Sequence, residues 1–283
     1  MILKVTIINR SLLIFFFTFT IKGQSVFNIV EYKSFPSELK ILDIYPDNIE
    51  WGVANGFLLL DKINNQIVSL NSFNEVQLFG GFAKKQLSLS GPIWMGIAPQ
   101  GITLVDRLDN KVIFLDYRLS YMNEVSIEPR IYPDIAVIDN WGNIYMYSNQ
   151  YNSIFIFKQK SLDKRPHIDL NRYKNIEYCI KSMSINQDGD LALLSCENSI
   201  HLFTRYGEYK KSYFPDLKTI DFLFSIRAKW FVFNKDGVGK SLIQNEDYKL
   251  PNVSTPIIDI KSMNRSLAVL SKDHILILNA KIK

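Results

Sequence analysis

One strand-turn-strand pattern recurs along this chain and limits what it can fold into. It is plainest in GFLLLDKINNQIVSL from Gly56, GITLVDRLDNKVIFL from Gly101, GNIYMYSNQYNSIFIF from Gly142 and GDLALLSCENSIHLF from Gly189. Each copy opens on Gly and runs through a short apolar strand. Asp61, Asp106, Ser148 and Ser195 then open a turn that Asn65, Asn110, Asn152 and Asn198 close before a second apolar strand. The Gly-to-Gly spacings are 45, 41 and 47 residues. A period of roughly 20–50 residues marks a stacked array, because one unit cannot bury its own apolar face and needs its neighbours. These units contain strands alone, which points to a β-propeller.

Two degenerate copies extend the series. One starts near Ala228 (AKWFVFNKDGVGKSLIQ) and one at Arg265 (RSLAVLSKDHILILN). Nine residues before Gly101, Gly142 and Arg265 stand Pro92, Pro133 and Pro256. Proline cannot donate to a sheet ladder and so sits at strand starts. The stretch after each Pro therefore reads as an inner strand, and segments such as 75–79 and 208–214 read as fourth strands. Phe35–Ile44 and Phe214–Phe222 also match each other, each at a hand-over between units. The count is six. The last unit runs out of chain after three strands, while residues 26–35 form a spare strand. The expected fold is all-β: a six-bladed propeller of four-stranded antiparallel blades over residues 24–283, its ring closed by the N-terminal strand. Closure matters because open sheet edges invite aggregation.

The pattern P-x8-G-x-φ-φ-φ-D-x3-N-x-φ-φ-φ, best kept at Pro92, Gly101, Asp106 and Asn110, resembles the NHL-type repeat of six-bladed propellers. Ser148 and Ser195 depart from it by replacing the Asp. The turn Asp and Asn have a local role to play, since their side chains bond nearby backbone and Asn tolerates positive φ.

Residues 1–23 are a different kind of segment. Lys4 and Arg10 precede an uncharged apolar run from Ser11 to Ile21. Eleven helical residues would span about 16 Å, half a bilayer's hydrocarbon core. That length fits a signal peptide, with cleavage between Gly23 and Gln24, and implies a secreted or periplasmic protein. Losing Lys4, Arg10 and Lys22 lowers the formal charge from +5 to +2. Nucleic-acid binding needs Lys and Arg clustered on one face. The pairs Lys84-Lys85 and Lys210-Lys211 read instead as solvated strand ends, so nucleic acid is excluded as a partner.

Cys179 and Cys196 are the only cysteines. An oxidising compartment would let them pair. They flank one hairpin turning near Asn186–Asp190. A register with Asn186 opposite Gly189 sets them face to face. A three-residue loop with Gly189 as bulge shifts them to opposite faces.

Catalytic motifs are missing. His167, His201 and His274 have no His or Cys at metal-ligand spacing, and no phosphate loop or nucleophile elbow occurs. The resemblance implies one alternative. Propellers such as gluconolactonase-like hydrolases and amidating lyases hold Ca²⁺ or Zn²⁺ on acidic, Asn or His residues at inner-strand ends. Asp43, Asp134, Asp221 and Asp259 are the nearest equivalents here. Trp51, Trp94 and Trp141 are the candidate contact aromatics, since exposed aromatics concentrate at interfaces. The leading expectation is a binding or scaffold module for a protein, peptide or glycan, without cofactor or metal. The alternative is a metal-dependent hydrolase or lyase, with Ca²⁺ as its ion.

Overall fold

The computed structural model describes residues 26–81 and 88–282. The candidate signal peptide, with Gly23 and Gln24, lies outside the described residues. Six antiparallel sheets follow one another around a ring, as the repeat count implies. Blade 1 contains Asn48–Trp51, Phe57–Asp61, Gln66–Leu70 and Val76–Gly80; blade 2 contains Pro92–Ala98, Gly101–Asp106, Lys111–Leu115 and Tyr121–Ser126. Blade 3 contains Ile135–Ile138, Ile144–Ser148 and Ser153–Lys158, and its fourth position is split into Ser161–Leu162 and Ile168–Asp169. Blade 4 runs through Ile180–Ile185, Leu191–Ser195, Ile200–Phe203 and Tyr209–Tyr213; blade 5 through Phe222–Ile226, Lys229–Phe233, Val238–Ser241 and Asp247–Lys249. Blade 6 takes Asp259–Met263, Ser266–Leu270 and His274–Ala280 from the C-terminus and Phe27–Ser34 from the N-terminus. Among the described residues no helix is long and apolar enough to cross a membrane.

The N-terminal strand closes the ring as expected, pairing from Phe27 with Ala280 to Ser34 with His274. Phe27 is 1% exposed and packs into the cluster shared by blades 5 and 6. Second strands such as Phe57–Asp61, Gly101–Asp106 and Ile144–Ser148 are buried along their whole length. They read as unbroken apolar runs because both faces of a blade meet a neighbouring blade. Leu58, Leu60 and Ile67 of blade 1, for example, pack on Leu104, Ile113 and Leu115 of blade 2.

Strand direction fixes two faces. Inner strands begin at the end where blade-to-blade connectors arrive, and the turns between second and third strands return there. We call this the connector face. The turns leading from first to second strand and from third to fourth strand lie on the opposite face.

The turn residues of the repeat staple the connectors. Asp61 accepts the Tyr45 N–H at 3.1 Å, and Asp106 accepts those of Ser90 at 2.7 Å and Gly91 at 3.1 Å. Asn110 donates to the Ile127 carbonyl at 2.6 Å and accepts the Tyr132 N–H at 2.9 Å. The four closing Asn have φ of 51°, 50°, 44° and 66°. In blade 4, where Ser195 replaces Asp, other groups hold the incoming connector. Glu177 accepts from Ser199 at 2.9 Å and lies 3.0 Å from His201 Nε2, and Cys179 is disulfide-bonded to Cys196.

Both registers considered for that hairpin occur within it. Ile185 opposes Leu191 and Met183 opposes Leu193, the pairing set by the three-residue loop. A bulge at Lys181 then shifts the ladder by one residue, so that Ile180 opposes Ser195. Cys179 is thereby brought opposite Cys196, with Cα atoms 5.5 Å apart.

Candidate functional site

The connector mouth of the channel is ringed by charge, and its carboxylates are held by backbone N–H groups and by cations. Asp134 and Asp221, just ahead of inner strands 3 and 5, accept the N–H groups of Asn149 at 2.8 Å and Lys235 at 3.1 Å. Their other oxygens meet Arg107 at 3.1 Å and Lys181 at 3.2 Å, cations contributed by the preceding blades. Asp259, first in inner strand 6, reaches across to blade 1 and accepts the Ile49 N–H at 2.9 Å and the Asn48 amide at 3.3 Å. Burial pushes the Asp259 carboxyl above its ordinary range despite those hydrogen bonds. Two residues on, Lys261 lies 2.6 Å from Glu50. Burial opposes its charge, but Glu50 and Asp259 outweigh burial and push the ammonium up.

Asp43 does not belong to this ring. It sits at φ 50° in the turn after the short helix Ser37–Ile41, several residues ahead of the inner strand. Asp47 takes the equivalent place, accepting the Lys62 N–H at 2.9 Å as Asp134 and Asp221 do in their blades. Alignment on the second-strand turn, rather than on the hand-over segment, would have found it. The four sequence candidates therefore do not converge. Among the described residues no three His, Cys, Asp or Glu side chains gather as a metal would need.

The tryptophans separate in the same way. Trp51 is 7% exposed, and its Nε1 donates to the Lys261 carbonyl at 3.1 Å, so its ring seals the blade 6–blade 1 seam instead of facing a partner. Trp94 is half-buried against the blade 2–blade 3 cluster, with its ring over Gly96. Trp141 is 59% exposed on the opposite face. Its turn is rigidly built: Asp139 accepts the N–H groups of Trp141 at 2.9 Å and Asn143 at 2.8 Å. Burial, aided by Asp139, pushes the neighbouring Tyr145 hydroxyl up to about 12. The Trp141 ring rests near Gly189 of blade 4 and lies 5.6 Å from the Arg205 guanidinium.

Beside Trp141 runs a cleft of about 540 Å³ between blades 2 and 3. Pro99, Phe114, Met122, Ile144 and Phe157 line it, with Lys158 and Lys160 at one side. Its lining includes Gly101 and Gly142, the repeat glycines of the two blades. A Cβ on Gly101, at φ +143°, would come 2.1 Å from the Leu115 carbonyl oxygen. Sequence reasoning found Trp141 but missed its neighbours. They come from turns and strand ends of two blades, and nothing in the linear pattern ties them together.

No protein-family model and no curated protein matches the sequence. Solved structures do match in shape. Virginiamycin B lyase from Staphylococcus aureus is similar at TM-score 0.58 and 12% identity, covering 91% of this chain and 90% of that one. YCF48 bound to D1 peptide is similar at TM-score 0.58 and 10% identity, over 84% and 79%. A gluconolactonase from Xanthomonas campestris is similar at TM-score 0.59 and 8% identity, over 88% of each chain. At these identities the likeness establishes the six-bladed propeller. It does not extend to activity, since the same fold carries both enzymes and binding proteins.

Proposed function

We propose that this chain is an extracytoplasmic propeller of NHL-type repeats that binds a protein or peptide partner on its opposite face. The observation that carries the reading is the cleft of about 540 Å³ beside Trp141, a ring left 59% exposed on a turn held rigid by Asp139. Exposed aromatics beside an apolar cleft are the usual anchors of recognition. The channel carboxylates support the same reading from the other side, because each is already bonded to backbone or to a cation. The apolar run Ser11–Ile21 and the solvent-facing disulfide Cys179–Cys196 support export. YCF48, similar in fold, is a propeller solved with a bound peptide.

The test is photo-crosslinking in the native host with a benzophenone amino acid at Trp141, and at Phe214 on the connector face as control. The reading expects a discrete adduct from Trp141 alone, recovered from the extracytoplasmic fraction. Equal labelling at both positions, or none at Trp141, would contradict it.

A further inference from the structure

We infer that the groove between blades 2 and 3 takes a linear acidic peptide carrying a large apolar side chain. This deepens, and rests on, the binding reading above. The groove is amphipathic in one particular way. Its buried lining is apolar, through Ile144 and Phe157, with Phe114 half-buried and Pro99 and Met122 exposed at its edge, and it bears two ammonium groups, Lys158 and Lys160, with no carboxylate among its lining residues. Arg205 adds a third cation across the Trp141 ring. Lys160 lies 5.9 Å from the Phe114 ring centre, so a carboxylate bound there would neutralise a cation already resting on an apolar wall.

Lys158 pairs with Asp163 at 2.8 Å, but the two side chains are 48% and 38% exposed. A pair that open to water holds weakly and yields to a better-placed anion. The volume falls within the range of about 300–1,000 Å³ typical of ligand clefts. Gly142, where an added Cβ would meet only Pro99 Cδ at 3.9 Å, leaves room for an extended backbone to lie close. The cleft of about 510 Å³ lined by Arg165, Arg172 and Tyr173 holds its own carboxylate, Asp169, paired with Arg172 at 3.2 Å. The carboxylates at the connector mouth are already bonded to backbone N–H groups or to cations. The opposite mouth of the channel is lined by amides and hydroxyls such as Asn140, Asn186, Ser225 and Asn264, with little apolar depth.

The experiment is to pan a randomised short-peptide library on the purified protein, with counter-selection on Trp141→Ala. The enriched peptide's affinity is then measured by fluorescence anisotropy. The proposal expects enriched sequences that combine Asp or Glu with an aromatic or large aliphatic residue. Their affinity should fall roughly tenfold in Lys158→Glu/Lys160→Glu and less in Lys158→Gln/Lys160→Gln. It should stay unchanged in the equally charged control Lys211→Glu/Lys218→Glu, and weaken as salt rises from about 0.05 M to about 0.5 M. Matching thermal melts exclude misfolding of the variants. Enriched peptides without acids, affinity indifferent to the groove charges, or displacement by a neutral oligosaccharide and not by an acidic peptide would each overturn it. If Trp141 crosslinks a protein whose binding ignores the charge reversals, the binding reading stands and this inference alone fails.

Discussion

The closing strand offers the sharpest test of how the ring is held together. Phe27 is 1% exposed, its ring 5.9 Å from Phe233 and 5.8 Å from Tyr248, inside a cluster that includes Leu250, Leu278 and Ala280. Phe27→Ala removes that ring from a site framed by β-strands that cannot collapse onto it. The lost transfer energy and the remaining cavity together cost about 3–5 kcal/mol. In a domain of this size each kcal/mol lowers the melting temperature by about 2–4 °C, so the expected drop is about 6–20 °C. Three residues along the same strand, Val30 is 61% exposed. Val30→Ala keeps the strand pairing and should change stability by no more than about 0.5 kcal/mol. Circular dichroism melts at constant pH measure both. A Phe27→Ala melt within about 2 °C of the parent, or equal losses from the two variants, would refute closure by packing of this strand.

The disulfide closes a loop with a sequence separation of 17 and both cysteines are exposed, so mild reductant should open it in the folded protein. The expected loss is about 3 kcal/mol, or about 6–12 °C, in melts run with and without dithiothreitol and checked by intact mass. Glu177 is held below its ordinary value of 4.5; burial opposes this, but its own backbone N–H, His201 and Ser199 outweigh it. A depressed carboxyl adds stability that is present at neutral pH and lost as pH falls through the folded-state value. Urea midpoints of the parent and Glu177→Gln should therefore differ at about pH 7 and converge on acidification; a gap that persists unchanged to about pH 3 counts against this. Gly101→Ala drives a Cβ to 2.1 Å from a backbone oxygen, while at Gly142 the nearest atom is Pro99 Cδ at 3.9 Å. Gly142→Ala should cost only left-handed backbone strain of about 1–2 kcal/mol, and Gly101→Ala clearly more, by the same melts.

The architecture was legible because a propeller repeats its chemistry. Gly at the hairpin start, Asp and Asn at the turn and unbroken apolar second strands each follow from a blade buried on both faces. Even the closing strand could be counted in, since one unit lacked a fourth strand and one strand lacked a unit. Local irregularities were not legible. The bulge at Lys181 let two registers coexist in one hairpin, where the sequence had suggested a choice between them. The sequence points to Asp43 in place of Asp47 because the helix Ser37–Ile41 lengthens that connector, which the linear pattern does not show. The groove was hidden for a different reason. Phe114, Trp141 and Lys160 belong to three separate turns and strand ends, and only the packing of blade 2 on blade 3 makes them neighbours.

The central claim is that recognition occurs on the opposite face, in the groove beside Trp141, and not in the channel. Hydrogen–deuterium exchange of the protein with and without its selected peptide tests this most directly. Protection should appear at residues 98–103, 114–115, 122–123, 141–144 and 157–160, the segments that border the groove. Protection confined to the inner-strand starts around Asp47, Asp134, Asp221 and Asp259, with the groove unchanged, would contradict the account and return attention to the channel.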